Sequence, residues 1–305
     1  MGTPEFARYQ LWSLLNHPEW NVVGVVTQPD RPAGRKMKPQ PTPVKTLALE
    51  QGVPVLETSG SVDELIPILK SWKPDVALVV AFGKILSKNF LEEFRSLNIH
   101  ASLLPRWRGA APIQRAIMAG DTKTGVCLQI MTEQLDAGDI IGCREVDILP
   151  SMNACDLHDI LMKKSPELFH EMKAYLEGKL RPKPQSSEGV TYASKIKKEE
   201  GEIDWSKENN QIFCQIRGLA LGPGTFTFFR GKKLKIHRGE PVECVQELPG
   251  KVVAVTKDDF TVACGKGALR ILEVQEASKK RMWVSEFLKG HNISVGDVLG
   301  GNKHV

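Results

Sequence analysis

Residues 75–82, Asp-Val-Ala-Leu-Val-Val-Ala-Phe, carry the strongest buried-strand signal in the chain. A short apolar run without polar alternation suits a strand covered on both faces, as parallel strands are. Runs of the same kind at 21–27 and 53–56 precede it, and stretches with helix signals separate them. Gly2-Thr3-Pro4-Glu5 opens a first helix, with Thr3 as its cap and Glu5 at its positive end. Thr42-Pro43 starts another to about Gln51, and Ser61 caps a third through Trp72 with Asp63 and Glu64 in its first turn. Ser87 to Phe94 makes a fourth. Such alternation predicts an α/β domain, with a Rossmann-like, largely parallel sheet. Leu157, Ile160, Leu161, Leu168, Met172 and Tyr175 then fall on one side of a long amphipathic helix over about 153–177, which closes a first domain at 1–178.

Residues 179–201 change character, with Pro182, Pro184 and Ser186-Ser187-Glu188-Gly189 before Lys-rich sequence, and read as a linker. Beyond it, in 202–305, a helix at about 206–219 precedes short strand signals at 225–230, 233–238, 250–256, 259–264 and 268–275. Close spacing of that kind predicts a small OB-like β-barrel. Residues 1–178 hold 19 Lys and Arg against 21 Asp and Glu, whereas 179–305 hold 22 against 15. The basic excess thus lies in the C-terminal third, which suits a polyanionic partner, and OB-like folds commonly bind nucleic acids. Gln28 to Lys45 is an exposed loop rich in proline and in basic residues, among them Arg35, Lys36 and Lys38.

No apolar run approaches a membrane span, and no secretory leader is visible. Six scattered cysteines (127, 143, 155, 214, 244 and 264) without a C-x-x-C pair read as reduced, small core residues of a cytoplasmic protein. Neither they nor the seven histidines have metal-ligand spacing, so no metal is expected. No G-x-G-x-x-G follows any strand, which removes support for dinucleotide binding.

The chemistry concentrates at 98–115. Asn98 and His100 end a strand, and alternate strand residues share a face about 7 Å apart. A carboxamide can donate to a developing oxyanion, and an imidazole can give or take a proton beside it. Pro105 ends the strand, the loop 106–109 follows, and a helix runs from Ala110 to Met118. Asp136, in a Gly-containing loop between apolar runs 125–131 and 140–148, can supply a carboxylate to the imidazole. Taken alone, each residue is more often structural than catalytic.

Together they match a known pattern. Asn-x-His, then Ser-Leu-Leu-Pro (102–105), then Leu-Asp-x-Gly around Asp136 resembles the formyltransferases that use 10-formyltetrahydrofolate. Leu-Pro-Arg-Trp-Arg-Gly-Ala-Ala-Pro-Ile-Gln-Arg (104–115), Thr-Gln-Pro-Asp-Arg-Pro-Ala-Gly-Arg (27–35), Thr-Tyr-Ala-Ser-Lys-Ile (191–196) and Ile-Asp-Trp (203–205) are similar to the branch that formylates methionyl-tRNA, essentially end to end. The resemblance implies the formyltransferase fold and 10-formyltetrahydrofolate as co-substrate. The implied acceptor is the α-amino group of methionyl initiator tRNA, for translation initiation, and the enzyme is expected to act as a monomer.

The same resemblance assigns roles. Asn98 would orient the formyl group and hold the oxyanion, His100 would share it and assist proton transfer, and Asp136 would set His100 and, directly or through water, take the proton of the attacking ammonium. Ser102, Leu103, Leu104 and Pro105 match the folate-contacting stretch, with Phe82, Gly83 and Asp139 as pocket walls. Arg35, Lys36 and Lys38 would reach the tRNA acceptor end. Trp107 with its flanking arginines is either an aromatic platform beside the substrate or an anchored loop. A sugar-amine formyltransferase or a formyl-folate hydrolase would share Asn98, His100 and Asp136 without the basic loop, and a non-catalytic tRNA-binding relative would keep the loop without needing the triad. Leu219 to Phe226 departs from the family, which has an Asn-Pro-Trp-Pro-like stretch there. The family also places a short apolar strand before Gly2-Thr3-Pro4, central in the sheet, so the natural protein is expected to begin about five to ten residues upstream.

Overall fold

The computed structural model describes residues 1–33, 38–243 and 247–300. They form two compact units, one of Met1–Pro112, Lys123–Asp147 and His158–Ser194, the other of Ile113–Thr122, Ile148–Leu157 and the chain from Lys195 onward. The stretch 179–201 is therefore divided between the two at Ser194.

In the first unit α1 (Glu5–Leu15) follows Pro4 without a side-chain cap, because the Thr3 hydroxyl instead donates to the Phe82 carbonyl at 3.2 Å. Of the run 21–27, only β1 (Val25–Thr27) becomes strand, fully buried. The basic loop folds as an antiparallel ribbon of β2 (Arg31–Ala33) and β3 (Lys38–Gln40), with Pro32 facing Pro39. Two prolines can face each other because that ladder position needs no N–H. Thr42 caps α2 (Pro43–Glu50), its hydroxyl accepting from the Lys45 amide at 3.1 Å, and β4 (Val55–Glu57) follows. Ser61 caps a 3₁₀ turn that leads into α3 (Ile66–Ser71), and Ser87 caps α4 (Lys88–Glu93) after β5 (Ala77–Val79).

Then come β6 (Ser96–His100), β7 (Arg108–Gly109), α5 (Pro112–Met118), β8 (Lys123–Ile130) and β9 (Ile140–Asp147). The expected single helix at 153–177 is broken into α6 (Ala154–Lys164) and α7 (Phe169–Leu176) by a 3₁₀ turn at Ser165–Leu168. Pro166 is the cause, since it has no N–H to continue the helical ladder. The short β10 (Tyr192–Ala193) runs parallel to β7.

A largely parallel sheet is not what forms. β1 and β4 pair in parallel, as do β5 and β6, but β6, β8 and β9 run antiparallel in the order β5-β6-β8-β9. The loop 131–139 between β8 and β9 is too short for a parallel crossover. The two sheets meet through Met1 and Gly2: the Gly2 amide donates to the Val26 carbonyl at 3.0 Å and the Met1 carbonyl accepts from the Val80 amide at 2.9 Å. The Met1 nitrogen donates to the Leu78 carbonyl at 2.7 Å. Beside them lies a cavity of about 790 Å³, lined by Val22, Val23, Val25, Leu78, Phe94 and Met172 among others. Val26, Ile66, Leu69, Val79, Phe82 and Phe90 form a core against this sheet region. Two cysteines depart from the reduced-thiol expectation: Cys127 and Cys143, opposite each other in β8 and β9 with Cα atoms 4.1 Å apart, are joined as a disulfide.

The second unit packs α8 (Asn209–Gly218) on a six-stranded antiparallel sheet of β11 (Thr225–Phe229), β12 (Lys232–Val242), β13 (Val252–Val255), β14 (Phe260–Ala263), β15 (Ala268–Glu276) and β16 (Met282–Trp283), before α9 (Val284–Gly290). Its core holds Trp205, Ile212, Phe260, Ile271 and Val274. The strand path β11-β12-β15-β14-β13 is open. Its ends are both stitched to residues 297–300, Gly300 donating to the Phe228 carbonyl at 3.0 Å and Leu299 to the Gly250 carbonyl at 2.8 Å. Among the described residues no helix is long and apolar enough to cross a membrane.

Candidate active site

β6 presents Asn98 and His100 on one face, as strand alternation requires, and β8 sets Gln129 opposite Asn98 and Cys127 opposite His100. The loop 131–139 then doubles back onto this face. Asp136 sits there at φ 48°, a left-handed conformation uncommon for a residue with a Cβ. Gly138 lets the loop close: a Cβ on it would stand 1.9 Å from the Ile130 carbonyl oxygen.

The Asp136 side chain is 12% exposed. Its Oδ1 accepts from Asn98 Nδ2 at 3.2 Å and from Gln129 Nε2 at 2.9 Å, and its Oδ2 accepts from the Gly109 amide at 2.8 Å. His100 Nδ1 faces Oδ2 at 3.6 Å, an ion-pair distance rather than a hydrogen bond. The other ring nitrogen, Nε2, lies 2.8 Å from the Trp107 carbonyl. A carbonyl only accepts, so that bond puts a hydrogen on Nε2 and leaves Nδ1 facing the carboxylate.

The loop that carries Trp107 and Gly109 is braced from 191–193. Thr191 accepts from the Trp107 amide at its hydroxyl (2.9 Å) and from the Arg108 amide at its carbonyl (2.9 Å). The Ala193 carbonyl accepts from the Ala110 amide at 2.8 Å. Gly109 has φ 119°, and a Cβ there would come within 2.8 Å of that same carbonyl oxygen, so glycine is required. Trp107 is itself at φ 64°, with the Arg106 guanidinium over its ring at 4.4 Å.

The fold thus brings Asn98, His100 and Asp136 together. Ser102 is buried, its hydroxyl donating to the Arg106 carbonyl at 2.6 Å; Leu104 is buried, and Leu103 and Pro105 are half-buried. Phe82 turns its ring into the core at 2% exposure, and its carbonyl accepts from Gln28 Nε2 at 2.7 Å. Gly83, exposed at φ 74°, follows it, and Asp139 is half-buried with its carbonyl accepting from the Ile130 amide at 2.9 Å. Lys38 is exposed on β3, while Arg35 and Lys36 lie outside the described residues.

Sequence reasoning missed Gln129 and Gln185. Gln129 had a readable signal, being an amide inside the apolar run 125–131, buried to 1% exposure. Gln185, in a Pro- and Ser-rich stretch, had none.

Family comparison matches residues 1–172 to "Formyl transferase" and residues 195–292 to "Formyl transferase, C-terminal domain". Methionyl-tRNA formyltransferase of Bdellovibrio bacteriovorus is 50% identical over 309 residues, covering 98% of this chain and 97% of that protein. The protein of the same name from Magnetococcus marinus is 46% identical, again over 98% and 97%. Among solved structures, an N-formyltransferase from Helicobacter canadensis in complex with folinic acid and dTDP-3-aminofucose superposes with a TM-score of 0.65 at 19% identity, over 90% of this chain and 97% of that one. At that identity the likeness speaks to fold alone.

Proposed function

Because the chain belongs to the formyl transferase family, in the branch of the methionyl-tRNA formyltransferases, we propose that it carries the formyl group of 10-formyltetrahydrofolate to the α-amino group of methionyl initiator tRNA at the Asn98–His100–Asp136 site. The observation that supports this reading is the convergence of a carboxamide, an imidazole and a nearly buried carboxylate at one strand end. Attack of the amine on the formyl carbon forms a C–N bond and places negative charge on the formyl oxygen. Collapse then breaks the bond to the folate nitrogen, which leaves with a proton. Asn98 Nδ2 carries two hydrogens; one goes to Asp136 and the other is available to that oxygen. Asp136, directly or through water, first takes one proton of the ammonium and so frees its lone pair for attack; the second proton, lost by that nitrogen after addition, passes with the help of His100 to the departing folate nitrogen.

Ser102, Leu103, Leu104 and Pro105 form the folate-contacting stretch, with Gly83 and Asp139 at its edge and Phe82 as backing from the core. Arg35, Lys36 and Lys38 bind the acceptor end of the tRNA, and the second unit, an OB-like barrel in this reading, adds basic surface. The enzyme acts as a cytoplasmic monomer without a metal. Single-turnover transfer from 10-formyltetrahydrofolate to charged initiator tRNA, measured beside free methionine and a sugar amine, tests the reading. Transfer to the tRNA alone is expected, and equal transfer to a sugar amine overturns it.

A further inference from the structure

We infer that Arg108, Gln185 and Gln129 form a one-directional hydrogen-bond chain that positions Asp136, with Gln185 and Gln129 as positioning residues. The inference rests on the reading of Asp136 given above. Its direction follows from donors and acceptors. Arg108 can only donate, and its guanidinium reaches Gln185 Oε1 from Nε at 3.1 Å and from a terminal nitrogen at 2.8 Å. That fixes which end of the Gln185 amide is oxygen, so its Nε2 must face the other way. There its two hydrogens go to the Asp136 and Gly138 carbonyls, each at 2.8 Å, and Gln129 Oε1, at 3.3 Å, shares one of them. The Gln129 amide is fixed in turn, and its Nε2 donates to Asp136 Oδ1 at 2.9 Å.

The one chain touches Asp136 at two points. Gln185 holds the backbone of residues 136 and 138, where Asp136 adopts its left-handed φ of 48°. Gln129 holds the carboxylate itself from β8, at the oxygen that does not receive the Gly109 amide. Every link donates toward the carboxylate, and aligned bonds of this kind polarise one another. The guanidinium charge of Arg108 is thereby coupled to Asp136 through two carboxamides, with no direct ion pair between them required.

Gln185→Glu is the discriminating variant. It keeps size and can pair with Arg108, yet it cannot donate to the carbonyls of residues 136 and 138 or to Gln129. The single-turnover formyl-transfer rate is expected to fall roughly 10- to 100-fold, as for a slightly misplaced catalytic group, with the KM values for folate and tRNA within about twofold. Gln129→Met, apolar and of similar volume, is expected to lose about tenfold, and the double variant to stay close to the poorer single one, as two links of one pathway require. Urea unfolding of each variant controls for loss of fold. Wild-type rates in both variants, beside an inactive Asp136→Asn, overturn the chain and leave the site reading intact. A wild-type rate in Asp136→Asn overturns the site reading itself.

Discussion

Asn98 and Gln129 stand opposite each other on β6 and β8 and donate to the same oxygen of Asp136, at 3.2 and 2.9 Å. With the Gly109 amide on the second oxygen at 2.8 Å, three N–H donors hold the carboxylate. An amide at position 136 would have to turn an NH₂ toward one of these donors.

Asp136→Asn is therefore expected to slow formyl transfer by roughly 10²- to 10⁴-fold, the span of general acid–base catalysis, and His100→Ala by a similar factor. Affinity for charged tRNA stays nearly unchanged, since neither side chain belongs to a basic cluster. Single-turnover rates at saturating tRNA check this; a wild-type-like rate for either variant removes that residue's role.

How far the site could be read in advance depends on what each residue's placement required. Asn98 and His100 needed only strand alternation, so their shared face was legible. Asp136 needed the matched motif, because its approach depends on a nine-residue loop and on Gly138 lying against Ile130. Gln185 needed the return of the chain after α7, which leaves no mark on local pattern. The direction of β8 was hidden for a different reason: an apolar run looks the same whether its neighbour is parallel or antiparallel. The break at Pro166 was visible, but the apolar stripe continues through it and masked the interruption.

The basic segment 28–45 can be tested by salt. Replacing Arg35, Lys36 and Lys38 by Ala is expected to weaken tRNA binding and to lower the slope of log K against log salt by roughly one for each phosphate no longer neutralised. Binding of formyl-folate is unaffected. Filter binding across a salt series measures the slope, and an unchanged slope takes these three residues off the nucleic acid.

In the second unit, Trp205 Nε1 donates to the Thr227 hydroxyl at 2.9 Å within the core, with Thr227 at 1% exposure. Thr227→Val leaves the indole N–H buried without its acceptor, at a cost of about 1–3 kcal/mol. Trp205→Phe strands the hydroxyl and also loses packing. Combining the two removes both polar partners, so the double variant is expected to be less destabilised than the sum of the singles. Urea denaturation of the three variants gives the coupling, and simple additivity would show that the bond contributes nothing.

His237 supplies a pH dependence with a definite sign. Half-burial in the sheet pushes its pKa down, and Arg281 and Lys235 act in the same direction, against the Gln275 hydrogen bond and Glu273. Gln275 donates its amide hydrogen to the Lys279 carbonyl at 2.8 Å, so its oxygen faces His237 Nε2 at 2.9 Å and the ring donates there. A base whose folded pKa lies below its unfolded value is neutral in the fold while the unfolded chain takes up a proton. Its contribution is complete above the unfolded pKa of about 6.5, shrinks as pH falls from there to the folded pKa, and is constant below it. His237→Gln removes the titration. The stability of the wild type is thus expected to drop faster than that of the variant as pH falls below about 6.5. Urea midpoints of both proteins at matched pH give the difference, and parallel curves would mean that His237 titrates alike in the folded and unfolded chain.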